Sequence, residues 1–259
     1  MPFVDTHRAR IYYEVQGQDP GHNETLVFAH GAGGNTASWW QQVPFFRQHY
    51  RVVSFDHRGF GRSLCNPEDF SPIHFEGDLM AILDQEGIER AHLVCQSMGG
   101  WTGVRSAALY PQRVSSLVLA NTPGAVYTDT LRQQMQGLPA PNDNPQVLSI
   151  AISEYFAERD PAGAYLYQQI SNFNLPPMPI AALMAPEAFL SDVQIADFNV
   201  PTLIITSDLD QIFPRELLEQ SAQRIGAETV FVENSGHSTY FEQPERFNRL
   251  VLEFLQQHT

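Results

Sequence analysis

The chain has 259 residues, 43% hydrophobic and 17% charged, a composition that folds into a globular domain and excludes a disordered or low-complexity chain. Fifteen Lys and Arg against 29 Asp and Glu leave a net charge of -14, a field that repels nucleic acid phosphates and anionic membrane surfaces, so neither is an expected partner. With only two cysteines, Cys65 and Cys95, no basic-then-apolar leader pattern and no apolar run of about 18 residues, the expectation is a protein of the reducing cytoplasm.

The run Arg10 to Val15 is β-branched and aromatic, and the turn-rich residues from Gly17 to Asn23 follow it, which predicts an opening hairpin. Thr25 to Ala29 is a continuous apolar strand of the kind covered on both faces in a parallel sheet. It ends at His30-Gly31-Ala32-Gly33-Gly34. A dinucleotide-binding reading of these glycines fails on spacing, because G-x-G-x-x-G needs glycine where Thr36 stands. A helix is predicted from Ser38 to Phe46, then a buried strand from Arg51 to Phe55. The glycine loop Asp56 to Ser63 comes next, with Asp56 and Arg58 placed to pair locally. A helix from Phe75 to Glu86 carries Leu79, Ile82 and Leu83 on one face.

Leu93-Val94-Cys95 is the next strand and runs through Gln96 into Ser97-Met98-Gly99-Gly100, where a helix opens and continues from Trp101 to Leu109. A serine on a sharp strand-to-helix turn has its hydroxyl pushed out of the sheet, which is a nucleophile's position; a serine before Gly-Gly is equally a plain helix cap. The local pattern is C-x-S-x-G, with Cys95 where glycine is usual. After the strand Ser116 to Ala120 the pattern changes: residues 125–198 are rich in proline and aromatic side chains with no strong strand. The sheet pattern resumes at Pro201 to Thr206, followed by a helix from Arg215 to Ile225, a strand from Thr229 to Val232 and an amphipathic helix from Pro244 to about Gln256. Strands alternating with helices predict an α/β fold with a parallel sheet.

Five stretches in this order, His30 to Gly34, Asp56 to Ser63, the Ser97 turn, Ser207 to Pro214 and Ser235-Gly236-His237, resemble the α/β-hydrolase family over nearly the whole chain. The resemblance implies a mostly parallel eight-stranded sheet flanked by helices, with a helical lid inserted after the sixth strand. It divides the chain into core residues 1–124, a lid at 125–198 and core residues 199–259. Nucleophile, acid and histidine follow one another as Ser97, Asp210 and His237. Asp208 competes for the acid role, and Pro214, four residues after Asp210, favours the latter. Asn121 occupies the place after the sixth strand where some relatives carry the acid.

A serine hydroxyl needs a base to take its proton and a carboxylate to orient that base; the oxyanion that forms needs N–H donors, which the resemblance assigns to Ala32 and Met98. His30, Trp101, Tyr127 and Phe213 are expected at the substrate pocket, and Met135, Met178 and Met184 either face substrate or form the lid's own core. Cys95 is expected to be a buried packing residue. The implied activity is hydrolysis of a small apolar carboxylic ester or lactone through an acyl-enzyme, with no cofactor and no metal. A carbon–carbon hydrolase of the meta-cleavage-product type and a low-turnover ligand-binding protein are alternatives on the same fold. Oligomeric state stays open.

Overall fold

The continuous apolar runs form the centre of one sheet. In the computed structural model, which describes residues 2–17, 24–137, 150–174 and 178–258, with 135–137 as backbone only, the strands are β1 (Phe3–Thr6), β2 (Ala9–Gln16), β3 (Thr25–Ala29), β4 (Arg51–Phe55), β5 (Leu64–Cys65), β6 (Ala91–Gln96), β7 (Val114–Ala120), β8 (Thr202–Ser207) and β9 (Glu228–Val232). Their order is β1-β2-β4-β3-β6-β7-β8-β9, with β5 paired to β2 off this path. The pairings β1–β2 and β2–β4 are antiparallel, and every later one along the path is parallel. The eight expected strands make up the path; the ninth, β5, is a two-residue pairing of Leu64 and Cys65 with Arg10 and Ala9, too short to leave a periodic signature.

The strands are apolar without alternation because both faces are covered. Val27, Val53, Leu93, Cys95, Leu117 and Ile204 point into one core, while Leu26, Phe28, Val52, Val94, Val118 and Ile205 point into the other. The first core takes the apolar sides of α2 (Phe75–Gln85), α3 (Gly99–Leu109) and α8 (Arg215–Ile225); the second takes α1 (Val43–Phe46) and α10 (Pro244–Leu255). The helix predicted from Ser38 to Phe46 is two pieces, a 3-10 turn at Thr36–Trp39 capped by Asn35, and then α1. Pro44 is the reason: its ring has no N–H to donate and clashes with the carbonyl four residues back, so it suits only a helix's first turn.

Among the described residues between Ala120 and Thr202 there is no strand; this segment holds α4 (Asp129–Gly137), α5 (Glu154–Arg159), α6 (Pro161–Asn172) and α7 (Asp192–Ala196). Leu131, Met178, Leu183, Leu190 and Ile195 join the same core as Leu119 and Val104, so these described residues of the segment share the sheet's core. Arg105 of α3 ties it down: the guanidinium pairs with Glu76 at 2.9 and 3.0 Å and also donates to the carbonyls of Glu187 and Ala188 at 3.2 and 3.5 Å. The expected local pair between Asp56 and Arg58 does not form. Buried Arg58 reaches across to Asp78 in a two-pronged bond of 2.7 and 2.8 Å, which matches the planar guanidinium fork, and Asp56 instead accepts from the backbone of Thr36 and Arg62. No helix among the described residues is long and apolar enough to cross a membrane.

Candidate active site

Parallel strands all end on one side of the sheet. His30 therefore follows β3, Ser97 follows β6, Asn121 follows β7, Asp210 follows β8 and His237 follows β9, all at one carboxyl edge.

Ser97 has φ +50, a left-handed conformation that a side-chain-bearing residue holds only when its surroundings enforce it. Its N–H donates to the carbonyl of Ala120 at the end of β7, and its own carbonyl accepts from Thr122 Oγ1 at 2.7 Å and from the Gly100 N–H at 2.8 Å. The turn is thus held on both sides by the neighbouring strand end. Cys95, two residues earlier, is fully buried, and burial pushes its thiol pKa up, away from reactivity. It fits because Gly103 on α3 faces it: a Cβ on Gly103 would lie 2.7 Å from the Cys95 sulfur and 2.6 Å from Leu117 Cδ1. The side chain gained at the elbow is accommodated by the one missing from the helix.

The loop after β3 lies against this turn. A Cβ on Gly31 would lie 2.0 Å from Gln96 Oε1 and 2.8 Å from Ser97 Cβ, so only glycine allows the approach. The Gly31 carbonyl accepts from the Gly34 N–H at 2.9 Å and from His30 Nδ1–H at 2.7 Å. In a trans peptide C=O and N–H point opposite ways, so pinning this carbonyl turns the Ala32 N–H to the other side. Met98 stands at the N-cap of α3, where helix geometry leaves backbone N–H groups without intrahelical partners. His30, expected at the substrate pocket, directly follows β3. It is 1% exposed, and both ring nitrogens bond to backbone, Nε2 accepting from the His57 N–H at 2.9 Å. Burial holds its pKa below the ordinary imidazole value, and the two bonds fix the neutral Nδ1–H tautomer.

His237 and Asp210 meet across the ends of β9 and β8, with His237 Nδ1 at 3.1 and 3.2 Å from the two carboxylate oxygens and both side chains buried. Asp210 Oδ1 also accepts from the N–H groups of Ile212 and Phe213 at 2.9 Å each, and Oδ2 accepts from Asn121 Nδ2 at 3.2 Å. Asp208 takes no part in this; its carboxylate accepts from the Ser235 N–H at 3.3 Å. Gln96 Nε2 donates to the His237 carbonyl at 3.3 Å and so joins the Ser97 turn to the histidine loop.

The Phe213 ring lies beside His237 with centroids 5.5 Å apart and planes tilted by 57°. Trp101 is fully buried, and half-buried Tyr127 sits further out; both rings contact Phe189 of the helical segment, at 6.0 and 5.3 Å. Met178 is buried against Gly59, Met184 packs on the core cluster, and the Met135 side chain lies outside the described residues. Four further residues, none of them marked by a motif, hold these loops together. Gln96 immediately precedes Ser97 in the elbow. Asn121, which follows β7, sits at a positive φ of 52. Asn174 spans two loops, donating to the Gly33 carbonyl at 2.7 Å and accepting from the Gly61 N–H at 2.8 Å. Glu242 is the fourth. Among the described residues no group of three or more His, Cys, Asp or Glu side chains could hold a metal ion.

A family model described as "Alpha/beta hydrolase family" matches residues 26–250. The chain belongs to the α/β-hydrolase family. It is accordingly an enzyme of the hydrolase class. Among curated relatives it is 28% identical to the "Putative carbamate hydrolase RutD" of Stutzerimonas stutzeri (strain A1501), over 95% of this chain and 96% of that protein. Among solved structures it is similar to Est816, described as an N-acyl homoserine lactone degrading enzyme, with 25% identity, a TM-score of 0.81 and coverage of 98% of this chain and 100% of that one. The enol-lactonase from Burkholderia xenovorans LB400 has the same fold, with 24% identity, a TM-score of 0.82 and coverage of 98% of this chain and 100% of that one.

Proposed function

We propose that this hydrolase cleaves a small apolar carboxylic ester or lactone through an acyl-enzyme on Ser97, without metal or cofactor. The observation that carries the reading is the 3.1 Å pairing of His237 Nδ1 with Asp210, at the same sheet edge as a serine held at φ +50. Asp210 keeps Nδ1 protonated and leaves Nε2 as the base. Ser97 Oγ attacks the substrate carbonyl carbon while Nε2 takes its proton, and the carbonyl oxygen becomes an oxyanion facing the Ala32 and Met98 N–H groups. The imidazolium returns the proton to the leaving alkoxide as the C–O bond breaks. Water then repeats the cycle on the acyl-enzyme, freeing the acid and Ser97. The segment 125–198 acts as the lid that selects what reaches Ser97, a role supported by the contact of Trp101 on α3 with Phe189.

Hydrolysis of short-chain nitrophenyl esters and of a lactone panel tests this, with Ser97→Ala as control and mass spectrometry of a fluorophosphonate adduct on Ser97. Turnover that survives Ser97→Ala, or no turnover by the native chain on the whole panel, would overturn it.

A carbamate is the second substrate class, favoured by the curated relative described above. Its carbonyl accepts the same attack: the alkoxide leaves as the alcohol, and water frees carbamic acid from the carbamoyl-enzyme, which breaks down to an amine and carbon dioxide. A nitrophenyl carbamate beside the matching ester decides between them, through the ratio of the two kcat/KM values.

A further inference from the structure

Glu242 closes α9 (Thr239–Glu242), five residues past His237, and stands between two parts of the molecule. Oε1 accepts from the Ser153 N–H at 2.9 Å; Oε2 accepts from the Ser153 hydroxyl at 2.6 Å and from the Gly236 N–H at 3.0 Å. Ser153 caps α5 of the helical segment, its Oγ accepting from the Phe156 N–H at 3.0 Å. Gly236 immediately precedes His237. A Cβ on Gly236 would lie 2.6 Å from Glu242 Oε1 and 2.7 Å from Ser153 N, so helical segment, carboxylate and histidine loop are in direct contact.

The histidine's backbone is fixed around this point. The Gly236 carbonyl accepts from Ser207 Oγ at 2.9 Å and Thr239 Oγ1 at 3.3 Å, while the His237 carbonyl accepts from Gln96. A second contact runs in parallel, from Tyr167 of α6 to Ser238 at 2.9 Å. Glu242 faces three donors. An ionised carboxylate satisfies all three, whereas an amide would turn an N–H toward one of them. Burial pushes the Glu242 pKa up, and the three donors oppose that shift.

We propose that Glu242 is a positioning residue that couples the helical segment to the placement of His237, so that the fit of the segment is felt at the base. The proposal rests on the serine hydrolase reading only for its kinetic readout. Ser153→Ala, Ser153→Thr, Glu242→Gln, Glu242→Ala and the double variant Ser153→Ala with Glu242→Ala test it by amide hydrogen exchange over residues 150–172 and 235–243, and by kcat and KM on a nitrophenyl ester.

Ser153→Ala is expected to speed exchange in the first region and raise KM about threefold or more with kcat within about twofold, since the Gly236 bond survives; Ser153→Thr restores both. Glu242→Ala is expected to speed exchange in both regions and lower kcat about tenfold, and adding Ser153→Ala to it changes kcat and KM no further, the signature of one shared group, while exchange at the start of α5 still rises because the cap bond to Phe156 is lost. If Glu242→Ala does not fold, the same cycle is read with Glu242→Gln, where the non-additivity is smaller in size and equal in sign. Additive effects on kcat and KM, or unchanged exchange over residues 150–172 on loss of Glu242, would overturn the proposal. A native chain inactive on every substrate defeats the hydrolase reading and leaves the exchange cycle to decide the coupling.

Discussion

The backbone N–H of His57 donates to Nε2 of His30 at 2.9 Å, and that bond settles which nitrogen of His30 carries the proton. The proton sits on Nδ1, 2.7 Å from the Gly31 carbonyl, and the orientation of the Gly31–Ala32 peptide depends on it. Replacing His30 with alanine leaves that peptide free to rotate and is expected to lower kcat about 10- to 100-fold with little change in KM, somewhat less than the 100- to 1000-fold typical for removing an oxyanion donor outright. Steady-state kinetics on the best nitrophenyl ester checks this; a rise in KM at constant kcat would place His30 in substrate binding instead.

Acid should destabilise the fold earlier than carboxylate protonation alone would cause. Burial holds His30, His57 and His92 below the ordinary value of 6.5. Below pH 6.5 the unfolded chain therefore binds protons that the native one refuses, and stability falls as pH drops, by at most about 1.4 kcal/mol per pH unit for each histidine. Glu242 works the other way, because its raised folded value adds stability as pH falls through that value toward 4.5; one carboxylate does not offset three imidazoles. Urea midpoints between pH 8 and pH 5 read the balance, and a flat profile from 7.5 to 5.5 would contradict it.

Asn121 donates to Asp210 and to Ser207 Oγ, at 3.2 and 2.8 Å. Asn121→Ala removes one donor to a buried carboxylate, a loss of about 1.5–3 kcal/mol in stability. Asn121→Asp does more, since it sets a second carboxylate against the first, and should lose more stability than Asn121→Ala. Urea denaturation of the two variants ranks these effects.

Cys95 and Gly103 form a matched pair. Gly103→Ala brings a methyl within 2.7 Å of the sulfur and should cost about 1–3 kcal/mol, as overpacking of a filled core does. Cys95→Ala should recover part of that loss in the double variant. Native protein treated with a maleimide is expected to label the half-buried Cys65 and to spare Cys95 until it unfolds.

Ser97→Gly should be inactive and more stable, by about 1 kcal/mol or more, because glycine occupies φ +50 without strain. Ser97→Ala removes the hydroxyl and keeps the strain, so its melting temperature should stay below that of the glycine variant.

The sequence by itself determined the sheet and the order of the site loops. Runs such as Leu26 to Ala29 and Leu117 to Ala120 are apolar at every position because each side chain enters one of two cores, a pattern read locally. The turn at Ser97 was legible because an apolar strand leads into it and two glycines follow Met98. The tertiary structure decided what depends on groups far apart in sequence. Proline at position 44 divided a helix whose apolar spacing looked unbroken. Arg58 found Asp78 rather than Asp56, Gly103 made room for Cys95, and His30 bonded backbone on both nitrogens. The ties from Asn121 to Asp210 and from Ser153 to Glu242 join residues 89 apart in each case, a separation at which hydrogen-bond direction leaves no mark on composition or periodicity.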